Sequence, residues 1–219
     1  KSKHMDLRLI KHIDTLIDRC PKLIVCKDDI IKAFELMLEA YNNKCKLLVC
    51  GNGGSASDSE HIVGELMKEF KLKRKVLADQ AESMKAIDSE MGTTLAENLQ
   101  GALPAICLTG HSSLTTAFMN DANADLVFAQ QVNGYGKVND VFLGISTSGN
   151  SKNVVYAAIT AKAKGLKIIG LTGQNESKLS KMADCCIRVP EIETYKIQEL
   201  HLPVYHCLCW MLEDHFFGN

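Results

Sequence analysis

Short apolar bursts, several of them stopped by glycine or by hydroxyl-rich turns, recur along this chain and limit what it can fold into. They are Lys46-Leu47-Leu48-Val49-Cys50 ahead of Gly51, Ala105-Ile106-Cys107-Leu108, Val141-Phe142-Leu143-Gly144-Ile145 ahead of Ser146, and Lys167-Ile168-Ile169-Gly170-Leu171. A shorter one, Cys186-Ile187-Arg188-Val189, is stopped by Pro190. Each is too short for a helix and nearly continuous in apolar character, as in a strand buried on both faces. Helically spaced stretches alternate with them. Residues 6–20 carry Leu7, Ile10, Ile13, Leu16 and Ile17, and 28–42 carry Ile30, Ile31, Phe34, Met37, Leu38 and Tyr41. Further helices are predicted over 56–69, over 151–164 with Gly165 closing it, and over 195–217. The pattern predicts an α/β fold: an open, mostly parallel sheet with helices on both faces, three layers in all, with N-terminal helices added.

A chain of 219 residues is long enough for one domain with a sizeable core, here read as 6–219. Residues 1–5 are set aside, because Lys1-Ser2-Lys3-His4 reads as a remnant ahead of Met5. The stretch 71–102 breaks the rhythm and reads as an inserted segment, with Lys73-Arg74-Lys75 at its start and a helical pattern around 78–90. Its ends adjoin a site-bearing helix and a strand edge, so two readings stand side by side: a bare surface excursion, or a lid or inter-subunit arm able to bring those charges to an anionic substrate. A net charge of −1 offers no field for nucleic acid or an anionic membrane. No apolar run reaches membrane-spanning length, and no secretory leader pattern is present. The nine cysteines are odd in number and lack a CxxC pair. They read as small buried hydrophobes in a reducing cytoplasm.

The chemistry concentrates at predicted strand ends. Gly51-Asn52-Gly53-Gly54-Ser55 lies between a strand and a helix. Glycines there let backbone N–H groups approach an anion, and a helix N-terminus adds partial positive charge. Ser146-Thr147-Ser148-Gly149-Asn150-Ser151 repeats the arrangement with four hydroxyls. Such an uncharged cradle at the carboxyl edge of a parallel sheet suits a phosphate, although a bland turn uses the same residue types. Thr109 to Thr116 forms a weaker third hydroxyl turn. His61 and Glu65, four apart, share a helix face. Gln198, His201 and His206 lie on the last predicted helix, and Pro203 between them cannot donate to residue 199.

Taken together, GNGGS-x5-HxxxEL, Asn120-Asp121, GISTSGNSxN, LTG at 171–173 and QExHxxxxH resemble the phosphoheptose isomerases of the sugar isomerase (SIS) family. The likeness runs from about 28 to 217. It implies interconversion of sedoheptulose 7-phosphate and D-glycero-D-manno-heptose 7-phosphate through an enediol, with Glu65 and His206 as base and acid. It implies substrate contacts from Asn52, Gly53, Ser55, Asn120, Asp121, Ser146, Thr147, Ser148, Ser151 and Gln198. Some members bind zinc through positions equivalent to His61, Glu65, Gln198 and His206; no nucleotide or organic cofactor is expected. The resemblance also implies a homotetramer with sites between subunits, His206 coming from a neighbouring chain. The departures are the 71–102 segment and Tyr195, which stands where an acidic residue is expected. Competing readings are an isomerase of another phosphosugar and a non-catalytic SIS binding or adapter protein. Adapters of that kind lack the glutamate and final histidine kept here.

Overall fold

The computed structural model describes residues 7–218. The remnant at 1–4 and the start of the first helix at residue 6 lie outside them. Five parallel strands, β1 (Leu47–Cys50), β2 (Ala105–Cys107), β3 (Val141–Ile145), β4 (Lys167–Thr172) and β5 (Cys185–Arg188), form one sheet in the order β2-β1-β3-β4-β5. Every predicted strand is present to within two residues at each end. Side chains alternate across the sheet with period two. Leu47, Val49, Val141, Leu143, Ile145, Ile169 and Leu171 enter one core, while Leu48, Cys50, Phe142 and Ile168 enter the other. The three-layer expectation therefore holds.

The first core is covered by α1 (Leu7–Arg19), α2 (Lys27–Asn42), α3 (Gly54–Met67) and α10 (Thr194–Phe217). The opposite core is covered mainly by α7 (Val127–Tyr135) and α8 (Lys152–Ala163), whose Val154, Ala157, Ala158 and Ala161 are fully buried. Pro21 ends α1 as expected, and a 3-10 turn over Pro21–Cys26 leads into α2. Helix α10 runs through Pro203 without a break. All nine cysteines are free thiols, five of them buried.

Residues 71–102 do not continue the alternation. They form a hairpin of two helices, α4 (Ala78–Ile87) and α5 (Ser89–Asn98), rather than the single helical stretch expected around 78–90. Asp88 makes the break. Its backbone is extended, and its carboxylate accepts from the amides of Glu90 and Met91, capping α5. The hairpin closes on itself at its base, where Lys75 bridges Gln100 and the Gly101 amide donates to the Arg74 carbonyl.

The expectation that Lys73, Arg74 and Lys75 present charge to a substrate fails at Arg74. Its side chain is fully buried and ion-paired with fully buried Glu213 of α10, Nε to Oε1 at 2.8 Å. The guanidinium also donates to the carbonyls of Glu65 and Leu66, the last turn of α3. Glu213 further accepts from the amides of Phe70, Lys71 and Leu72. A buried charge pair is tolerable because Glu213 takes four hydrogen bonds on its two oxygens and all three guanidinium nitrogens donate. Glu213→Gln should leave Arg74 buried without a counter-ion and cost about 3–5 kcal/mol in denaturant unfolding; a loss within error would show the pair to be dispensable.

His201 of α10 is completely buried. Its Nε2 donates to the Thr172 carbonyl, and its Nδ1 has no partner. Burial pushes its pKa down from 6.5 to about 4, against the smaller opposing effect of that hydrogen bond. Between those values the unfolded chain binds a proton that the folded one refuses. Stability should therefore be full above about pH 6.5 and fall as pH drops towards about 4, by on the order of 3 kcal/mol from this group. His201→Gln should flatten that part of the stability–pH curve measured by chemical denaturation.

Candidate active site

In the order β2-β1-β3-β4-β5 the chain leaves β1 to one side and returns to the other at β3. A crevice opens outside the carboxyl ends of strands at such a switch point. Here it is a recess of about 270 Å³ lined by Asn52, Gly53, Gly54, Ser55, Ile145, Ser146, Thr147, Ser151, Thr194 and Gln198. The glycine turn and the hydroxyl turn thus meet, although nearly a hundred residues separate them.

Two helices begin at this crevice. Gly53, at φ 57°, turns the chain into α3, and Ser151 begins α8. Neither helix has a side-chain cap or an acidic residue in its first turn. Both positive helix ends therefore remain available to an anion. Ser146 Oγ donates to Ser151 Oγ at 3.1 Å, which leaves the Ser151 proton free for a ligand. Ser55 is buried at the wall. Ser148 is turned away: it lines a neighbouring recess with Gln174 and Glu191, and its hydroxyl accepts from the Asn150 amide.

Asn52 and Asn153 exchange two amide hydrogen bonds, 2.9 and 2.8 Å, across the crevice rim. Asn52 therefore supports the geometry of the two turns. Its partner Asn153 stands in the GISTSGNSxN motif, where spacing alone gave it no role. Asn120 and Asp121 lie at the exposed end of α6 (Ser112–Asp121), bonded to each other and outside the lining of the crevice. The Thr109–Thr116 turn borders a separate recess on the far side of the glycine turn. Tyr195 is exposed.

Further along α3 and α10, three titratable side chains converge. His61 Nε2 lies 3.3 Å from Glu65 Oε1 and 3.4 Å from His206 Nε2. The residues of one chain are enough to form this group, so His206 need not come from a neighbour. Burial, and then the adjacent His61, push the His206 pKa below its ordinary value, which favours a neutral ring. Behind His61, its Nδ1 lies 3.1 Å from the Tyr205 hydroxyl, which donates to Asp58 Oδ1 at 2.9 Å. Sequence reasoning passed over Tyr205 and Asp58. A tyrosine in an apolar helix stretch reads as core, and nothing in the spacing marks where its hydroxyl ends.

Could these residues hold a metal? Among the described residues no group of three or more His, Cys, Asp or Glu is already gathered as a cage. Yet donors about 2.0–2.1 Å from a tetrahedral zinc lie about 3.3–3.4 Å from one another. The His61–Glu65 and His61–His206 separations have that length, which suits these three side chains to a shared ion. Gln198 is set apart from the three and approaches Gly54: a Cβ there would lie 2.8 Å from its Nε2.

Known proteins resemble this chain along most of its length. The SIS domain family matches residues 25–101 and 84–173. A phosphoheptose isomerase of Nitratiruptor sp. is 36% identical over 98% of this chain and 99% of its own. Among solved structures, a phosphoheptose isomerase from Neisseria gonorrhoeae superposes with a TM-score of 0.69 at 31% identity, covering 94% of each chain. One from Francisella tularensis gives 0.73 at 29% identity, covering 94% of this chain and 97% of that one. With near end-to-end likeness in sequence, and with the crevice and the His61–Glu65–His206 group built as described, the chain belongs to the phosphoheptose isomerase family of SIS-domain proteins.

Proposed function

We propose that this protein is a phosphosugar isomerase interconverting sedoheptulose 7-phosphate and D-glycero-D-manno-heptose 7-phosphate. The observation that carries the reading is a carboxylate and an imidazole held side by side on the two helices that also line an uncharged, donor-rich anion crevice. Ser55 and Glu65 are ten residues apart on α3, a rise of ~15 Å. An extended seven-carbon phosphate, with the reach of side chains at both ends, suits that span.

In the ketose-to-aldose direction Glu65 takes a proton from C1, leaving an enediolate. His206 moves a proton between the C1 and C2 oxygens, and the proton on Glu65 returns to C2. Ser55, Ser146, Thr147, Ser151 and the two helix ends hold the phosphate; Ser148 adds its hydroxyl if its side chain turns. Gly53, Asn52, Asn120, Asp121 and Gln198 belong to the substrate side of this reading. Zinc, held by His61, Glu65 and His206 with Gln198, would polarise the sugar oxygens when bound. Assembly as a homotetramer in the cytoplasm completes the proposal. It draws support from the family likeness and from apolar side chains left exposed at Leu7, Val25, Leu77, Ile87 and Met91. No helix of the described residues is long and apolar enough to cross a membrane.

Incubation with a panel of ketose phosphates, with products resolved by NMR and the metal content of the protein measured alongside, tests the reaction. Glu65→Gln and His206→Asn should each lower turnover roughly 100-fold or more without unfolding the protein. Normal turnover in both variants would remove the acid–base assignment. Ser151→Ala deletes a hydrogen bond to a charged group, so KM for the phosphosugar should rise roughly tenfold or more. Binding of the dephosphorylated sugar should stay unchanged; equal losses for both would make the loop purely structural.

A further inference from the structure

The α4–α5 hairpin turns its large apolar side chains outward. Its two helices pack chiefly on each other. They meet at Gly92, where a Cβ would lie 2.3 Å from the Met84 carbonyl oxygen, so no bulky group fits between them at that crossing. Ile87 at the tip is 87% exposed and Met91 69%; Leu95, one turn further along α5, and Leu77 and Leu99 at the base are exposed too. The same segment is acidic. Residues 76–100 carry five carboxylates and one lysine. Among the described residues only Glu82 of the five has a cationic neighbour, Lys85 of its own helix. A face that is apolar and acidic is complemented by one that is apolar and basic. Helix α8 offers it. Tyr156 and Ile159 are exposed there, and at about 100° per residue Lys152 and Ala163 fall on the same stripe, with Lys162 beside it. Val138 prolongs the stripe past Gly165. Residues 137–183, α8 and its flanks, carry seven lysines against Asp140 and Glu176. Asp140 is buried on Lys46 and Glu176 is paired with Lys181, so the other lysines have no carboxylate partner among the described residues.

We infer that the hairpin of one copy docks on the α8 face of a second copy, with Met91 and Leu95 against Tyr156 and Ile159 and with Glu90 and Glu97 near Lys152 and Lys162. Charge decides between this contact and its rivals. Pairing two hairpins would join their apolar faces but set carboxylates against carboxylates, and an anionic membrane surface repels the same groups. The size of the face suits a stable contact. Each helix has ten residues, a length of ~15 Å, and two helices side by side present a face of roughly 300 Å². Exchanged reciprocally, two such contacts bury roughly 1,200 Å² in all, the lower end of the range for specific association, and close a twofold pair. The inference rests on the assembly part of the proposed function and deepens it; the isomerase chemistry plays no part in it.

Photo-cross-linking of the full chain tests the contact. Benzoylphenylalanine replaces Met91 in one preparation and Leu95 in another. The product that runs as a dimer on a denaturing gel is digested, and its joined peptides are identified by mass spectrometry. The expected partner peptides come from α8. Two joined hairpin peptides, partner peptides from any other surface, or no cross-linked dimer overturn the inference. A charge exchange reads the same contact without the probe. Glu90→Lys with Glu97→Lys should raise the dissociation constant of the assembly, measured by sedimentation, roughly tenfold or more, because each reversal acts at both exchanged contacts; Lys152→Glu with Lys162→Glu should do the same. All four changes together should restore it. Loss without restoration, or no loss in either double variant, overturns the pairing. Should the α8 variant fail to fold, cross-linking decides. A monomer at micromolar concentration removes the assembly reading along with this one; an oligomer whose cross-links avoid α8 removes this one alone.

Discussion

The buried contact between Arg74 and Glu213 is the point on which the rest of the site hangs. Arg74 grips two carbonyls in the last turn of α3, those of Glu65 and Leu66, while Glu213 holds α10 two turns beyond His206. The proposed acid–base pair therefore sits between a clamped end and an open one. At the clamped end three consecutive backbone amides close on Glu213, and the guanidinium lies 4.8 Å over the Phe217 ring. At the open end neither α3 nor α8 has a side-chain N-cap or an acidic residue in its first turn.

This arrangement bears on how an anion can be held by a chain of net charge −1. The crevice lining contains hydroxyls, amides and glycines, and no lysine or arginine. Partial charges on helix ends and oriented N–H groups replace full charges. A phosphate bound by such groups does not bring a cation close to Glu65.

Much of this was legible beforehand because it depends on local periodicity. Strand bursts, helix spacing and hydroxyl turns are short-range signals, and the sheet, its two covered faces and the meeting of the turns after β1 and β3 follow from them. The misreadings concern long-range partners. Lys73-Arg74-Lys75 looked like one charged run; only the fold reveals that Arg74 turns inward to a glutamate 139 residues away. Asp88 looked like an ordinary position within one helical pattern, but its own carboxylate caps a second helix. Tyr205, Asp58 and Asn153 escaped because their roles belong to single atoms at the ends of side chains, which no pattern of residue types encodes. Asn120 and Asp121 were singled out by motif, yet they lie at the exposed end of α6.

The closed base of the α4–α5 hairpin has a consequence of a different kind. Lys75 and Gln100 pair, and the Gly101 amide returns to the Arg74 carbonyl, so the polypeptide leaves and re-enters the domain at one place. To the sheet, everything between those residues is a loop of almost no span. Its length contributes only weakly to the entropy of closing it, and its contents exert no pull on α3 or β2. The hairpin is thus a natural splice point. A foreign segment with adjacent termini could be grafted between Lys75 and Gln100 and carried by the Arg74 clamp, at the cost of the apolar side chains that the hairpin exposes.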